Sequence, residues 1–169
     1  MIERAIKVLA VSSGLVILFV ILGPLAPVNE RLVGVTPDGL ISLAPPVYLS
    51  FSAFLALITF LATTVLFWGS RRQSLNLLIE GSGFAFVALN YLNFFAVYRY
   101  WEPQMQVVPF FIVVTYHNAG TIVSSLNFDF GQLVLLILVA KYLTEWRRKR
   151  VEERRKFEPM IGTEGVQGG

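Results

Sequence analysis

The chain has 169 residues, 55% of them hydrophobic and only 15% charged, with a net charge of +3 and no cysteine. A soluble domain carries about 25% charged residues, and a water-soluble body of this size could not hide so much apolar surface, so the excess must face lipid or very large partner surfaces. The missing cysteines exclude disulfides, thiolate metal sites and a cysteine nucleophile, and the length leaves room for a single domain.

A helix needs roughly 20 apolar residues to cross about 30 Å of hydrocarbon. Four segments qualify, at about 6–22, 47–68, 75–98 and 128–146. The first has the basic start and apolar run of a secretory leader and is expected to be retained as a span. All 14 Lys and Arg residues except Arg31 and Arg99 fall before span one, between spans two and three, or at the end of span four and beyond it. That alternation follows the positive-inside rule and predicts a multi-pass protein of the cell membrane with both termini cytoplasmic and the loops 23–46 and 99–127 outside. Trp68 and Trp146 suit the inner boundary, and Tyr48, Tyr98, Tyr100 and Trp101 the outer one.

The outer loops read as β structure. In the first, Leu32–Thr36 and Leu40–Leu43 flank Pro37, Asp38 and Gly39, where Pro and Asp suit a turn corner and Gly a positive φ. In the second, Phe110–Tyr116 and Thr121–Leu126 flank His117-Asn118-Ala119-Gly120, with Asn118 and Gly120 as turn residues. Pro103 and Pro109 oppose one long helix here, the alternative being a short interfacial helix over 105–116. The expectation is a mainly α, four-helix transmembrane bundle carrying a small extracytoplasmic β-sheet in which the two hairpins meet as four strands. In outline this resembles the claudin-like architecture, but the paired cysteines and Gly-Leu-Trp signature of that family's first loop are absent, so no residue role is carried over.

Ionisable and amide groups inside a membrane are costly and draw attention to themselves. Glu80, Gly83, Val87 and Asn90 share a face of span three, with Asn93 close by. The stripe suits either a proton or ion path, with Glu80 titrating, or bonding between helices, and the second is favoured. Lys141 lies at a similar depth in span four, able to neutralise Glu80 or to snorkel to the headgroups. Gly81, Ala85 and Ala88 offer a small-residue face for close helix packing. Asp129 is placed in the first turn of span four, where it complements the helix dipole, with Gln132 beside it and Asn127 as the N-cap. His117, the single histidine, cannot ligate a haem on both axial sides or build a three-His zinc site from one chain, and a metal role would need ligands from partner chains.

Beyond Trp146 the helix is expected to continue through a charged run, with Glu152 and Lys156 at i,i+4, as a stop-transfer anchor near anionic headgroups. Residues 159–169 have the composition of a flexible tail. The chain contains no Gly-x-Ser-x-Gly, His-Glu-x-x-His, Walker or Gly-x-Gly-x-x-Gly motif, so no catalytic residue, cofactor or metal ligand is assigned. The expectation is a non-enzymatic membrane protein that works by assembly among membrane lipids, as a small subunit of a larger membrane complex or as a homo-oligomer, a self-assembling cell-surface element using its outer β-loops, without nucleic acid. An oligomeric channel or transporter built on the span-three stripe is the second reading, and a quinone- or lipid-handling redox subunit the third.

Overall fold

The computed structural model describes residues 2–26, 33–36, 39–42, 44–70, 72–101, 104–118 and 121–161. Along the chain run α1 (Ile2–Leu22), one turn of 3-10 helix (Gly23–Leu25), β1 (Val33–Thr36), β2 (Gly39–Ser42), α2 (Ala44–Phe67), α3 (Gln73–Trp101), β3 (Gln104–Val108), β4 (Phe111–Asn118), β5 (Thr121–Phe128) and α4 (Phe130–Ile161). The chain forms two compact units, Met1–Leu135 and Leu136–Gly169.

In the first unit α3 packs against both α1 and α2. Ala56 and Phe60 of α2 and Ile79, Ala85 and Leu89 of α3 are wholly buried, joined by Val8 and Phe19 of α1. Residues 79, 82, 86 and 89 recur at the i,i+3/i+4 spacing of one helix face. The other faces are apolar as well, with Ile17, Phe54, Val65 and Phe95 exposed. Apolar residues all round a helix mark a lipid-facing or deeply buried element, and Ile2–Leu25, Pro46–Phe67 and Gln73–Arg99 are each long and apolar enough to cross a membrane. Pro45 and Pro46 fall in the first turn of α2, where a missing N–H is tolerated. Among the described residues α4 does not reach the same standard, because its apolar run from Leu133 ends at Lys141.

Both hairpins form where the sequence places them, but they do not merge. β1 and β2 make a two-stranded sheet, whereas β3, β4 and β5 make a separate antiparallel sheet in that order. The expected four-stranded sheet is thus corrected: β4 takes its second neighbour from Gln104–Val108, the stretch just before it, instead of from the first hairpin. The interfacial-helix alternative for 105–116 is replaced by strand. Gly39 begins β2, paired with Thr36, and Asn118 ends β4, paired with Thr121, so Gly39, His117 and Asn118 are strand residues where the sequence suggested turn. Pro37, Asp38 and Gly120 lie outside the described residues.

The second unit is the remainder of α4. Its helix continues through the charged run to Ile161, and the tail from 162 lies outside the described residues. Lys141 is buried, and its Nζ lies 2.6 Å from Glu145 Oε1 one turn on. The Arg150 guanidinium stands 3.7 Å from the ring centre of Trp146, a cation–π contact.

Candidate functional site

The polar centre of the first unit is Asp129, the residue between β5 and α4, and it has no exposed surface. A buried carboxylate is tolerated only when its lone pairs are filled. Asp129 Oδ1 accepts from the N–H groups of Gly131 at 2.9 Å and Gln132 at 3.3 Å and from Asn90 Nδ2 at 3.2 Å, while Oδ2 accepts from the Tyr91 hydroxyl at 3.0 Å. The first two bonds are those of an N-cap, made to the second and third residues of the helix, and the charge sits at the positive end of the α4 dipole. Asn127, the cap expected from the sequence, is instead a β5 residue paired with Ile112. The strand outruns the expected boundary, so the cap moves to the next residue with a side-chain oxygen. A Cβ on Gly131 would stand 2.8 Å from Asn90 Nδ2 and 3.0 Å from Asp129 Oδ1, so only glycine lets Asn90 come this close.

The same junction holds the β3–β4 turn. Phe110 has φ 65°, a left-handed conformation that a bulky residue rarely adopts. Both of its backbone groups are engaged: its N–H donates to Gln132 Oε1 at 2.9 Å, and its carbonyl accepts from the Asp129 N–H at 2.8 Å. Gln132 Nε2 also reaches the Val108 carbonyl at 3.5 Å. The first turn of α4 therefore grips the turn from two sides and fixes the sheet to the helices.

The span-three stripe does not converge on one point. Glu80 pairs with Arg4 of α1, Asn93 Oδ1 accepts from Ser50 Oγ of α2 at 3.0 Å, and Asn90 serves Asp129. Each polar group bonds to a different segment, as helix-joining groups do. Glu80 and Asn90 are about 15 Å apart along the helix at 1.5 Å per residue.

Of the small residues, Gly81 and Ala85 are buried, and a Cβ on Gly81 would meet Val11 Cγ1 at 2.5 Å, so α1 and α3 touch there. Ala88, the third of them, is exposed within this chain. The buried arc of α3 is centred near Ser82 and Leu89, and at about 100° per residue Ala88 turns about 20° beyond Gly81, out of that arc.

A set of neutral hydroxyls, not apparent from hydropathy, also joins the helices. Ser52 Oγ donates to Phe19 O at 2.8 Å and Tyr48 O at 2.9 Å, and Thr63 Oγ1 lies 3.2 Å from Ser82 Oγ across α2 and α3. Their signal was the recurrence of Ser and Thr along one side of an otherwise apolar α2, which periodicity in hydropathy alone does not register. Among the described residues no three His, Asp or Glu side chains gather as metal ligands would. Compared with family models, with curated proteins and with solved structures, the chain matches none.

Proposed function

We propose that this chain is a four-span membrane protein that works by assembly, pairing the free edge of β5 with another chain on the outer side of the bilayer. α1, α2 and α3 support the first three crossings through their length and hydropathy. The fourth is carried by the apolar run of α4 together with the basic residues that follow it, which the positive-inside rule assigns to the cytoplasm.

The observation behind assembly is the contrast between the two sheet edges. β3 has five residues and is bracketed by Pro103 and Pro109. Shortness and proline are standard guards against strand addition. β5 has eight residues, no proline and no charge, and Ile122, Leu126 and Phe128 along it are exposed. An unguarded apolar edge recruits a strand through its backbone groups. The Asp129 and Gln132 contacts hold that edge ready, so little ordering is left for the moment of binding.

Native mass measurement of detergent-extracted protein tests this. The expected result is an oligomer or a particle with a co-purifying partner, weakened about tenfold in association by Ser124→Lys, equivalent to about 1.4 kcal/mol. A wild-type particle that is strictly monomeric and partner-free overturns the proposal.

A further inference from the structure

The hydrogen bond that holds the β3–β4 turn also fixes which backbone groups of β5 are free. In an antiparallel pair, opposed residues alternate between those that exchange N–H···O=C bonds and those that do not. The Asp129 N–H donates to the Phe110 carbonyl at 2.8 Å, one step beyond the Phe111–Phe128 pair. Phe111–Phe128 is therefore a non-bonded pair, and so by alternation are Val113–Leu126, Thr115–Ser124 and His117–Ile122. Side chains lie closer in non-bonded pairs, in keeping with the Thr115 and Ser124 hydroxyl oxygens at 3.1 Å. Ile122, Ser124, Leu126 and Phe128 thus turn their N–H and C=O groups away from β4, toward the free edge, and their side chains share one face.

We infer that the strand taken by this edge is β5 of a second copy of the chain, running antiparallel about a twofold axis at Ser124. The inference rests on the reading that the β5 edge recruits a strand, and it names the partner. Two strands exchange backbone bonds only where both members of a pair face outward, so residues 122, 124, 126 and 128 must oppose one another. Two registers then overlap the strands over nearly their whole length. An axis at Ser125 opposes Ser124 to Leu126, a hydroxyl against an apolar side chain. An axis at Ser124 opposes Ser124 to its own image and Ile122 to Leu126 of the partner subunit, like against like. Ile122 and Leu126 are 69% and 65% exposed, against 40% for Phe128, and they flank Ser124 at equal spacing. The strand's two most open apolar side chains therefore cover each other, and the Thr115–Ser124 hydroxyl row runs on into its image.

Charge and topology agree with that partner. A twofold axis sets residues near their own images, where like charges repel, and residues 104–128 contain no Asp, Glu, Lys or Arg. A head-to-tail arrangement would need a second edge on the copy. β3, the other edge of this sheet, is short and bracketed by prolines, and β1 and β2 have four residues each. Pairing β5 with β5 uses the unguarded edge twice and closes the assembly.

Because the chain has no cysteine, single introduced thiols report the pairing. The full-length chain in detergent is treated with a short bis-maleimide. Ser124→Cys is expected to give a covalent dimer, since opposed bonded residues have Cα atoms about 5.5 Å apart. Ile122→Cys alone and Leu126→Cys alone are expected to give none, since each position lies about 14 Å along the strands from its image. The same two variants, co-expressed with different tags, are expected to give the mixed dimer, which keeps the test decisive should Ser124→Cys fold poorly. Thr115→Cys is expected to give none, because three strand spacings of about 14 Å in total separate it from its image. No dimer from Ser124→Cys and none from the mixed pair overturns the inference. If native mass measurement then finds a different protein bound, and Ser124→Lys releases it, the edge reading stands and only the identity of the partner falls. Equal product at Ser124→Cys, Ile122→Cys and Thr115→Cys marks collision without register and also overturns it.

Discussion

Asp129 does three things at once. It caps α4, orders Asn90 and Tyr91, and through its backbone N–H holds the Phe110 carbonyl. Replacing it with alanine removes a cap worth about 1–2 kcal/mol and leaves buried donors unpaired at about 1–3 kcal/mol. Asp129→Ala is expected to lower stability by about 3 kcal/mol, read as a shift in denaturant unfolding in mixed micelles. Asp129→Asn keeps a side chain that caps equally well and is expected to lose about 1 kcal/mol. Equal losses in the two variants would remove the cap from the explanation.

Phe110 offers a second test at this scale. A left-handed non-glycine residue costs on the order of 1–3 kcal/mol, and Gln132 offsets part of that by accepting its N–H. Gln132→Ala is therefore expected to destabilise by about 1 kcal/mol in the native background and by clearly less in a Phe110→Gly background, where the turn needs no such help. Strict additivity across that double-mutant cycle would show that the two residues are uncoupled.

Among the elements, α3 packs against both α1 and α2, and its contacts are of two kinds. Small residues let α1 approach, and single polar groups lock the approach in place. Gly81→Ala isolates the first kind. Within a helix, alanine gains about 1 kcal/mol over glycine, but the added Cβ would stand 2.5 Å from Val11 Cγ1 and 3.4 Å from the Ser12 backbone nitrogen. Overpacking of that sort costs about 1–3 kcal/mol, and because backbone is involved the clash is expected to win. The variant should unfold at lower denaturant than wild type, whereas Ala88→Gly, on the exposed side of the same helix, should show only the propensity loss. The sheet makes a complementary point. β4 and β5 were legible because β-branched and aromatic runs flanked a turn-rich stretch. β3 was not, since Gln104-Met105-Gln106 gives little strand signal and the turn after it places its positive φ on a phenylalanine.

For the whole molecule, the testable quantity is sidedness. If the chain crosses four times with its termini inside, a membrane-impermeant maleimide should label Gln104→Cys from outside intact cells and Thr163→Cys only after the membrane is opened. Labelling of both from outside would mean an odd number of crossings.

Three apolar helices, two hairpins and the basic bias of their connections were determined by the sequence itself, because hydropathy, strand propensity and charge are local properties that each segment carries wherever it packs. Glu80, Asn90 and Asn93 were visible as polar groups on one helix for the same reason. Their partners were not, since Arg4, Asp129 and Ser50 come from elsewhere in the chain and only packing brings them together. Tertiary structure alone decided that the hairpins stay separate, that Ala88 faces outward and that Asp129 rather than Asn127 caps α4. Each of these depends on where one element stops and which face of another it meets. The apolar helices, first visible as hydropathy, thereby acquire a buried carboxylate that ties the sheet to them.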